Sequence, residues 1–529
     1  MTRRLLLARA EQVSAALKQR DIESVWHSLV AAHALRVNGP ATEAILADLP
    51  RRDPAWDLDL LDDLQMDERG VLYEFSLATV DRAARKSSGQ FFTPDDVARF
   101  LAERAARFPD GTWIDPCCGV GNLSFWLAKA QRDPRGFVAG RLVLVDRDPL
   151  ALRIACALLA TEFALDAAEY SALVARSRVA DALSDGFRDD PPAFDFAIMN
   201  PPYVVVPRDD RFRSAESRDL YAYFIETMLD LAGPTGGVVA ISPQSFTSAA
   251  KFAEFRRMLG ELERMDVYCF DNVPDNVFRG VKFGSQNSNR VNSTRAAVVV
   301  GRKGSGAQRH RITPLLRWRS HEREQLFARA DDFLAELQWD QKRAFPKVEA
   351  GLVPLHAEML AADDTVGDLA VAEATPYPLD VPVTPRYFLS AVKRVLDRGH
   401  VHRLHFPTAA ARDRAYVALN SSLAYWWWRV YEGGITISKS TLASIPVPLV
   451  DAPPDLVAAL EESEAENVVV KRNAGRPNEN VKHPWRLLRR LNQAVAPGFV
   501  DALLATHANS HLSGVSESEP VRALRRASA

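Results

Sequence analysis

The distribution of apolar and polar positions changes character twice along the chain. Over residues 1–85 apolar side chains recur at helical spacing (Leu17, Val25, Leu29, Ala32) in a background rich in Ala, Leu, Arg and Glu. That pattern predicts a helical N-terminal region, broken at Asn38-Gly39-Pro40 and again at Leu49-Pro50. From 86 to 301 short apolar runs alternate with helix-length segments: Trp113-Ile-Asp115, Leu142-Val-Leu-Val-Asp146, Phe194-Asp-Phe-Ala-Ile-Met199, Gly237-Val-Val-Ala-Ile-Ser242 and Ala296-Ala-Val-Val-Val300. The alternation predicts an α/β domain built on a largely parallel sheet. Ligands of such sheets sit outside the carboxyl ends of the strands. Asp115, Asp146 and Asn200, which end or follow three of these runs, are therefore expected to converge on one edge. Residues 302–510 lose the alternation and mix helices, Pro-rich turns and aromatic clusters, which predicts a second domain of α+β type. The Ser- and Arg-containing stretch 511–529 is expected to be a poorly ordered tail.

Composition narrows the class. A chain of 529 residues exceeds one ordinary core, and 47% hydrophobic with 25% charged residues is the profile of a folded globular protein. No apolar run approaches the roughly 20 residues that span a bilayer, and charge returns too soon after Met1 for a secretory leader, so a cytoplasmic protein without a membrane partner is expected. The four cysteines, two of them adjacent (Cys117, Cys118), suggest no disulfide framework. Net charge is -2, so binding to nucleic acid would require local clusters of positive charge.

The candidate chemistry lies in two loops. Asp115-Pro-Cys-Cys-Gly119-Val-Gly121-Asn122 follows a predicted strand and precedes a predicted helix, with glycines where the backbone must turn sharply near a ligand. The third glycine of a dinucleotide fingerprint is replaced by Ser124, and the Lys-Ser/Thr of a phosphate loop is absent. A loop without phosphate equipment suits a ligand without phosphate, such as S-adenosylmethionine. Asp146 at the next strand end is placed to accept from both ribose hydroxyls, and Asp181 from an adenine amino group; the neighbours Arg147 and Ala182 fall in the same pocket. Cys117 lies in this loop and reads as packing or a cofactor contact rather than as a nucleophile.

The second loop is Asn200-Pro201-Pro202-Tyr203. Consecutive prolines stiffen the turn and leave carbonyl oxygens fixed in direction. An aromatic exocyclic amine is a poor nucleophile because its lone pair is delocalised into the ring. Two fixed acceptors, the Asn200 amide oxygen and the Pro201 carbonyl, would draw off its hydrogens and stabilise the charge growing on nitrogen during methyl transfer. Tyr203 offers a face for stacking a planar substrate.

In order and content these motifs resemble the adenine-N6 DNA methyltransferases of the gamma arrangement, over roughly residues 86–450. The resemblance implies a Rossmann-like class I sheet, S-adenosylmethionine as cofactor, double-stranded DNA as partner and a C-terminal target-recognition domain. It also implies that Gly89-Gln90-Phe91-Phe92-Thr93-Pro94 closes over the methionine end of the cofactor, adding Thr93 and Pro94 to the pocket. Leu220-Tyr-Ala-Tyr-Phe224 matches the motif whose aromatics wall that pocket. Phe278 matches an aromatic packed against the target base, with Phe283 as its rival. The substrate implies base flipping, since N6 is out of reach inside a stacked duplex.

The loop carrying Arg208, Arg211, Arg213 and Arg218 reads either as a clamp on the DNA backbone, with Arg211 and Arg213 as substrate contacts, or as a solvated surface. Basic stretches at 302–323 (Arg302, Lys303, Arg309, Arg311, Arg317, Arg319, Arg323) and 471–490 (Lys471, Arg472, Arg476, Lys482, Arg486, Arg489, Arg490) supply local positive charge. The Trp426-Trp427-Trp428 cluster reads as core. Protein-glutamine and RNA amino-group methylation remain alternatives, as does a non-catalytic DNA-binding subunit. No nuclease motif and no metal-ligand cluster is evident, so a solitary methylase and the partner of a separately encoded endonuclease both stay open.

Overall fold

The computed structural model describes residues 3–49, 60–80, 93–278, 294–340, 343–385, 388–473 and 476–512. The chain divides into two compact units: Met1–Phe246 with Ala250–Asn272 and Asn276–His310, and Thr247–Ala249 with Val273–Asp275 and Arg311–Ala529.

The first unit is organised by a sheet whose strands are β1 (Trp113–Asp115), β2 (Leu142–Asp146), β3 (Arg178–Val179), β4 (Phe196–Met199), β5 (Gly237–Pro243), β6 (Arg264–Phe270) and β7 (Ala296–Arg302). They lie in the order β3-β2-β1-β4-β5-β7-β6. The pairs from β3 through β5 are parallel, whereas β7 runs antiparallel to both β5 and β6. This is a Rossmann-like sheet with one reversed strand. Its order changes direction between β1 and β4, so a crevice opens beyond their carboxyl ends. Asp115 closes β1 and Asn200 follows β4, which puts both candidate loops at that switch point.

The five apolar runs of the sequence became β1, β2, β4, β5 and β7. Two strands carry no such run. β3 is only two residues long, and β6 places Arg264 and Asp266 on alternate positions, so neither reads as buried sheet from sequence.

The N-terminal helices Arg3–Leu17, Ile22–Val37, Thr42–Asp48 and Met66–Val80 belong to this same unit rather than forming one of their own. The Asn38-Gly39 break is a left-handed helix end, with Asn38 at φ 51° and its N–H bonded to Ala34 O. Residues that read only as scaffold make specific polar ties to the sheet's helices. Arg69 Nη1 donates to Glu162 at 2.7 Å, and the Tyr170 hydroxyl donates to Asp48 at 2.7 Å.

The second unit packs the helices Ala409–Asn420, Ser422–Tyr431 and Trp485–Val495 around a core that includes Trp426, Trp427 and Trp428, all buried. Two antiparallel strand pairs accompany them, Pro378–Pro382 with Val401–His405 and Val468–Asn473 with Arg476–Val481. The unit is α+β. Its helix Trp485–Val495 buries Leu487, Leu488 and Leu491 and leaves Arg486, Arg489 and Arg490 exposed, the arrangement of an amphipathic surface helix. Among the described residues no helix is long and apolar enough to cross a membrane.

Candidate active site

The glycine loop leaves β1 and enters the helix Asn122–Lys129. Gly119 (φ 52°) and Gly121 (φ 91°) are both left-handed, a conformation that disfavours any side chain. Their surroundings differ. A Cβ on Gly119 would meet open space, whereas one on Gly121 would press within 3.2 Å of Ala155 Cβ. Gly119 therefore shapes the ligand-facing turn, and Gly121 lets the loop pack against the helix Pro149–Glu162. The Gly119 N–H donates to Asp146 Oδ2 at 2.8 Å, tying the loop to the end of β2.

One cavity gathers Thr93, Asp115, Cys117, Gly119, Asp146, Arg147, Asp181, Ala182, Asn200 and Pro202. Pro94, Gly121, Pro201 and Tyr203 do not line it. Pro94 instead precedes the helix Asp95–Ala105 as its N-cap. Leu220 and Phe224 reach the cavity from the helix Leu220–Leu231, while Tyr221 and Tyr223 pack elsewhere: Tyr221 bonds to Ser245 Oγ at 3.1 Å and Tyr223 stacks on Phe212. Gly89, Gln90, Phe91, Phe92 and Phe283 lie outside the described residues.

The cavity is rich in acceptors. Asp115 is buried and accepts from Ser124 Oγ at 2.9 Å, and burial raises its pKa to about 7. Burial also raises Asp146, although its two oxygens accept from the Gly119 and Asp148 N–H groups. Asp181 is exposed at the rim, where its carboxylate accepts from Leu183 N at 2.9 Å. Asn122 donates through Nδ2 to Thr93 O at 2.7 Å, while its buried Oδ1 has no partner. Burial and the Asp115 and Asp146 carboxylates drive the Cys117 thiol pKa up, which disfavours a thiolate there.

The Asn-Pro-Pro-Tyr turn is held by hydrogen bonds that its sequence does not announce. Asn200 Nδ2 donates to Thr93 Oγ1 at 2.9 Å, and the Tyr203 hydroxyl donates to Asn200 Oδ1 at 2.7 Å. The first bond orients the amide and leaves its oxygen as acceptor; the second occupies one of that oxygen's two lone pairs. Tyr203 meets Phe278 edge-on, with ring centroids 5.9 Å apart at 68°, so the two aromatics expected beside a target base are neighbours. Phe278 itself is buried.

The loop arginines are engaged with carboxylates. Arg211 pairs with Asp209 and Asp185, Arg213 with Glu261 at 2.9 Å, and Arg208 with Asp210 and Glu216. Neither Arg211 nor Arg213 reaches the cavity. The loop is further held by Glu226, which accepts from Arg213 N at 2.6 Å and Ser214 N at 2.9 Å. The basic stretch 302–323 is likewise not a continuous face. Arg317 and Arg323 are buried, Arg317 donating to the Tyr425 hydroxyl at 2.7 Å, and Lys303 donates to Ala232 O at 3.0 Å.

Sequence reasoning missed one wall of the cavity. Gly70, Tyr73, Glu74 and Leu77 line it from the helix Met66–Val80. They stand at i, i+3, i+4 and i+7, one helix face, but so do the apolar residues of any packed helix, and nothing local marks the face as ligand-facing.

Comparison with known proteins adds a family to this geometry. Residues 64–285 match the N-6 DNA Methylase family model. Type II methyltransferase M.BsuBI of Bacillus subtilis is 28% identical over 192 residues, 32% of this chain and 36% of that one. Type II methyltransferase M.PstI of Providencia stuartii is 22% identical over 214 residues, 38% of this chain and 42% of that one. The matched stretches thus span about two fifths of these relatives' lengths. Among solved structures, the type IIG restriction endonuclease BpuSI aligns over 98% of this chain and 80% of its own at 14% identity, with a TM-score of 0.46. Residues 64–285, the stretch that matches the N-6 DNA Methylase family model, hold the glycine loop, the Asn-Pro-Pro-Tyr turn and the cavity between them.

Proposed function

We propose that this chain methylates the exocyclic N6 of adenine in double-stranded DNA, with S-adenosylmethionine as donor. The observation that carries the reading is the Asn200 amide, oriented by Thr93 at the edge of a cavity lined by Asp115, Asp146 and Asp181. A pocket of carboxylates with an unpartnered buried amide oxygen on Asn122 fits a ligand that carries a sulfonium, an ammonium and a nucleoside's hydroxyls. When bound, S-adenosylmethionine would supply an electrophilic methyl group and retain the sulfur–carbon electron pair as a thioether.

The remaining work falls to the chain. Asp146 accepts from the ribose hydroxyls and Asp181 from the adenine amine of the nucleoside half. Asn200 Oδ1 and the Pro201 carbonyl together accept the hydrogens of the target amine. That polarisation localises the nitrogen lone pair and stabilises the charge formed as the N–C bond develops, a charge discharged when the methylated nitrogen gives up one proton to water. Tyr203, half-buried and backed edge-on by the buried Phe278, supplies aromatic surface for a base turned out of the duplex. Arg147 rims the nucleoside end.

The test is to incubate the purified chain with labelled S-adenosylmethionine and duplex DNA, RNA or a release-factor protein. Label on adenine N6 of duplex DNA is the expected result; label on RNA or protein instead overturns the substrate. Asn200→Ala is expected to lower transfer at least about 100-fold, on the scale of removing a fixed transition-state donor or acceptor, with cofactor affinity changed less than about threefold. Equal loss of both would remove Asn200 from the chemistry.

A further inference from the structure

The N-terminal helix Met66–Val80 lines the same cavity as Asp146, Arg147, Asp148 and Ala151, the residues assigned above to the nucleoside half of the cofactor or next to them. One face of the helix forms its part of the wall. Gly70 sits in mid-helix, where glycine costs about 1 kcal/mol relative to alanine, and it is buried on that face. One turn on, the Tyr73 hydroxyl donates to Asp148 Oδ2 at 2.6 Å.

Asp148 is a junction. Its Oδ1 accepts from Leu150 N at 3.0 Å and Ala151 N at 3.3 Å, capping the helix Pro149–Glu162. Its own N–H donates to Asp146 Oδ1 at 2.9 Å, and Asp146 Oδ2 accepts from Gly119 N at 2.8 Å. A continuous path of hydrogen bonds therefore runs from the N-terminal helix through Asp148 and Asp146 to the glycine loop. Tyr73 is itself fixed from behind. It is buried, and its ring meets that of Trp26 edge-on at 5.1 Å, while Trp26 Nε1 donates to Ser76 Oγ at 3.0 Å. Burial and the Asp148 and Asp146 carboxylates raise the Tyr73 pKa, so the hydroxyl stays a donor.

We infer that Tyr73 is a positioning residue for the nucleoside half of the cofactor: through Asp148 it holds the Asp146 carboxylate in the orientation that receives the ribose hydroxyls. The inference rests on the cofactor reading above and extends it to a helix outside the glycine loop and the Asn-Pro-Pro-Tyr turn. Residues 66–80 are then part of the binding site, and the loops at the strand ends alone do not complete it.

The experiment measures binding by calorimetry with the full chain and Tyr73→Phe, using S-adenosylhomocysteine and its 2′,3′-dideoxy analogue as probes. Removing one hydrogen bond to a carboxylate is expected to weaken S-adenosylhomocysteine about five- to tenfold. The dideoxy analogue, which has no hydroxyls for Asp146, is expected to change less than about twofold. Hydrogen exchange at the Leu150 and Ala151 amides is expected to rise in the variant. Equal weakening of both probes would mark Tyr73 as a support of the fold, and no weakening of either would remove it from the site; each overturns the inference while the cofactor reading stands. Failure of the unaltered chain to bind S-adenosylhomocysteine would overturn both.

Discussion

Thr93 shows how much a single residue can decide. Its hydroxyl receives the Asn200 amide and its carbonyl receives the Asn122 amide, so one buried threonine joins the Asn-Pro-Pro-Tyr turn to the glycine loop. The resemblance implied that Thr93 contributes to the pocket but did not reveal that it also sets which way Asn200 faces, because its partners lie 29 and 107 residues away. Asp115 carries the clearest pH consequence. Its pKa in the fold, about 7, lies above the unfolded value of 3.8 because burial disfavours the charged form. The fold thus holds this proton more tightly than the unfolded chain. The group's contribution to stability is complete below about pH 4 and declines as pH rises through 7. A cationic ligand reverses the preference. On the proposed reading, affinity for S-adenosylmethionine is expected to strengthen as pH rises through about 7, with a proton released on binding at lower pH. Calorimetry in buffers of differing ionisation enthalpy reads that proton, and Asp115→Asn should abolish it. A pH-independent affinity would place Asp115 outside the ligand's field.

Among elements, the helix Met66–Val80 departs furthest from its sequence reading. The helical spacing of residues 1–85 was legible, as was the break at Asn38. The assignment of one helix face to a ligand cavity was not, since periodicity reports which side is covered and not what covers it. The helix is also tied at a second point, where Arg69 and His33 face Glu162 at the end of the helix Pro149–Glu162. The His33 ring, 3.6 Å away, and the Arg69 guanidinium hold the Glu162 carboxyl down at about 2. A depressed carboxylate stabilises the fold above its unfolded pKa of 4.5, and that stabilisation is lost as pH falls through about 2. Arg69→Ala is expected to cost roughly 1–3 kcal/mol at pH 7, as for removal of a charge-assisted bond, and to bring acid unfolding on at higher pH. Urea unfolding at pH 7 and pH 4 measures both, and an unchanged acid limb would mean that the pair is fully screened. β3 and β6 were illegible for a different reason. A two-residue strand has no period, and a strand with charges on alternate positions reads like a surface segment until its partner β7 is known.

For the whole molecule, charge must be judged by place and not by sum. A net charge of -2 gives no general attraction to DNA, and much of the 302–323 cluster is engaged inside the fold. The later stretch is different: Lys471 and Arg472 are exposed on the strand Val468–Asn473. On the proposed reading, Lys471→Glu together with Arg472→Glu is expected to weaken duplex DNA binding. The dependence of log K on log salt should flatten by about 0.9 for each phosphate that is no longer neutralised. Affinity for S-adenosylhomocysteine should not change. An unaltered salt slope would remove this strand from the DNA surface.

What the sequence determined by itself was the chemistry that short stretches must carry. Left-handed turns call for Gly119 and Gly121, a rigid acceptor turn calls for Asn200 and its prolines, and five apolar runs announce the strands that deliver them. These are local demands on backbone and side chain, so they are written locally. The tertiary structure decided the rest: that Gly121 serves packing against Ala155, that Arg211 and Arg213 are bound to carboxylates, that Thr93 orients Asn200, and that Tyr73 is bonded to Asp148. Each of these depends on which distant residue folding brings alongside, and hydrogen bonds and ion pairs leave no periodic trace in the chain that makes them.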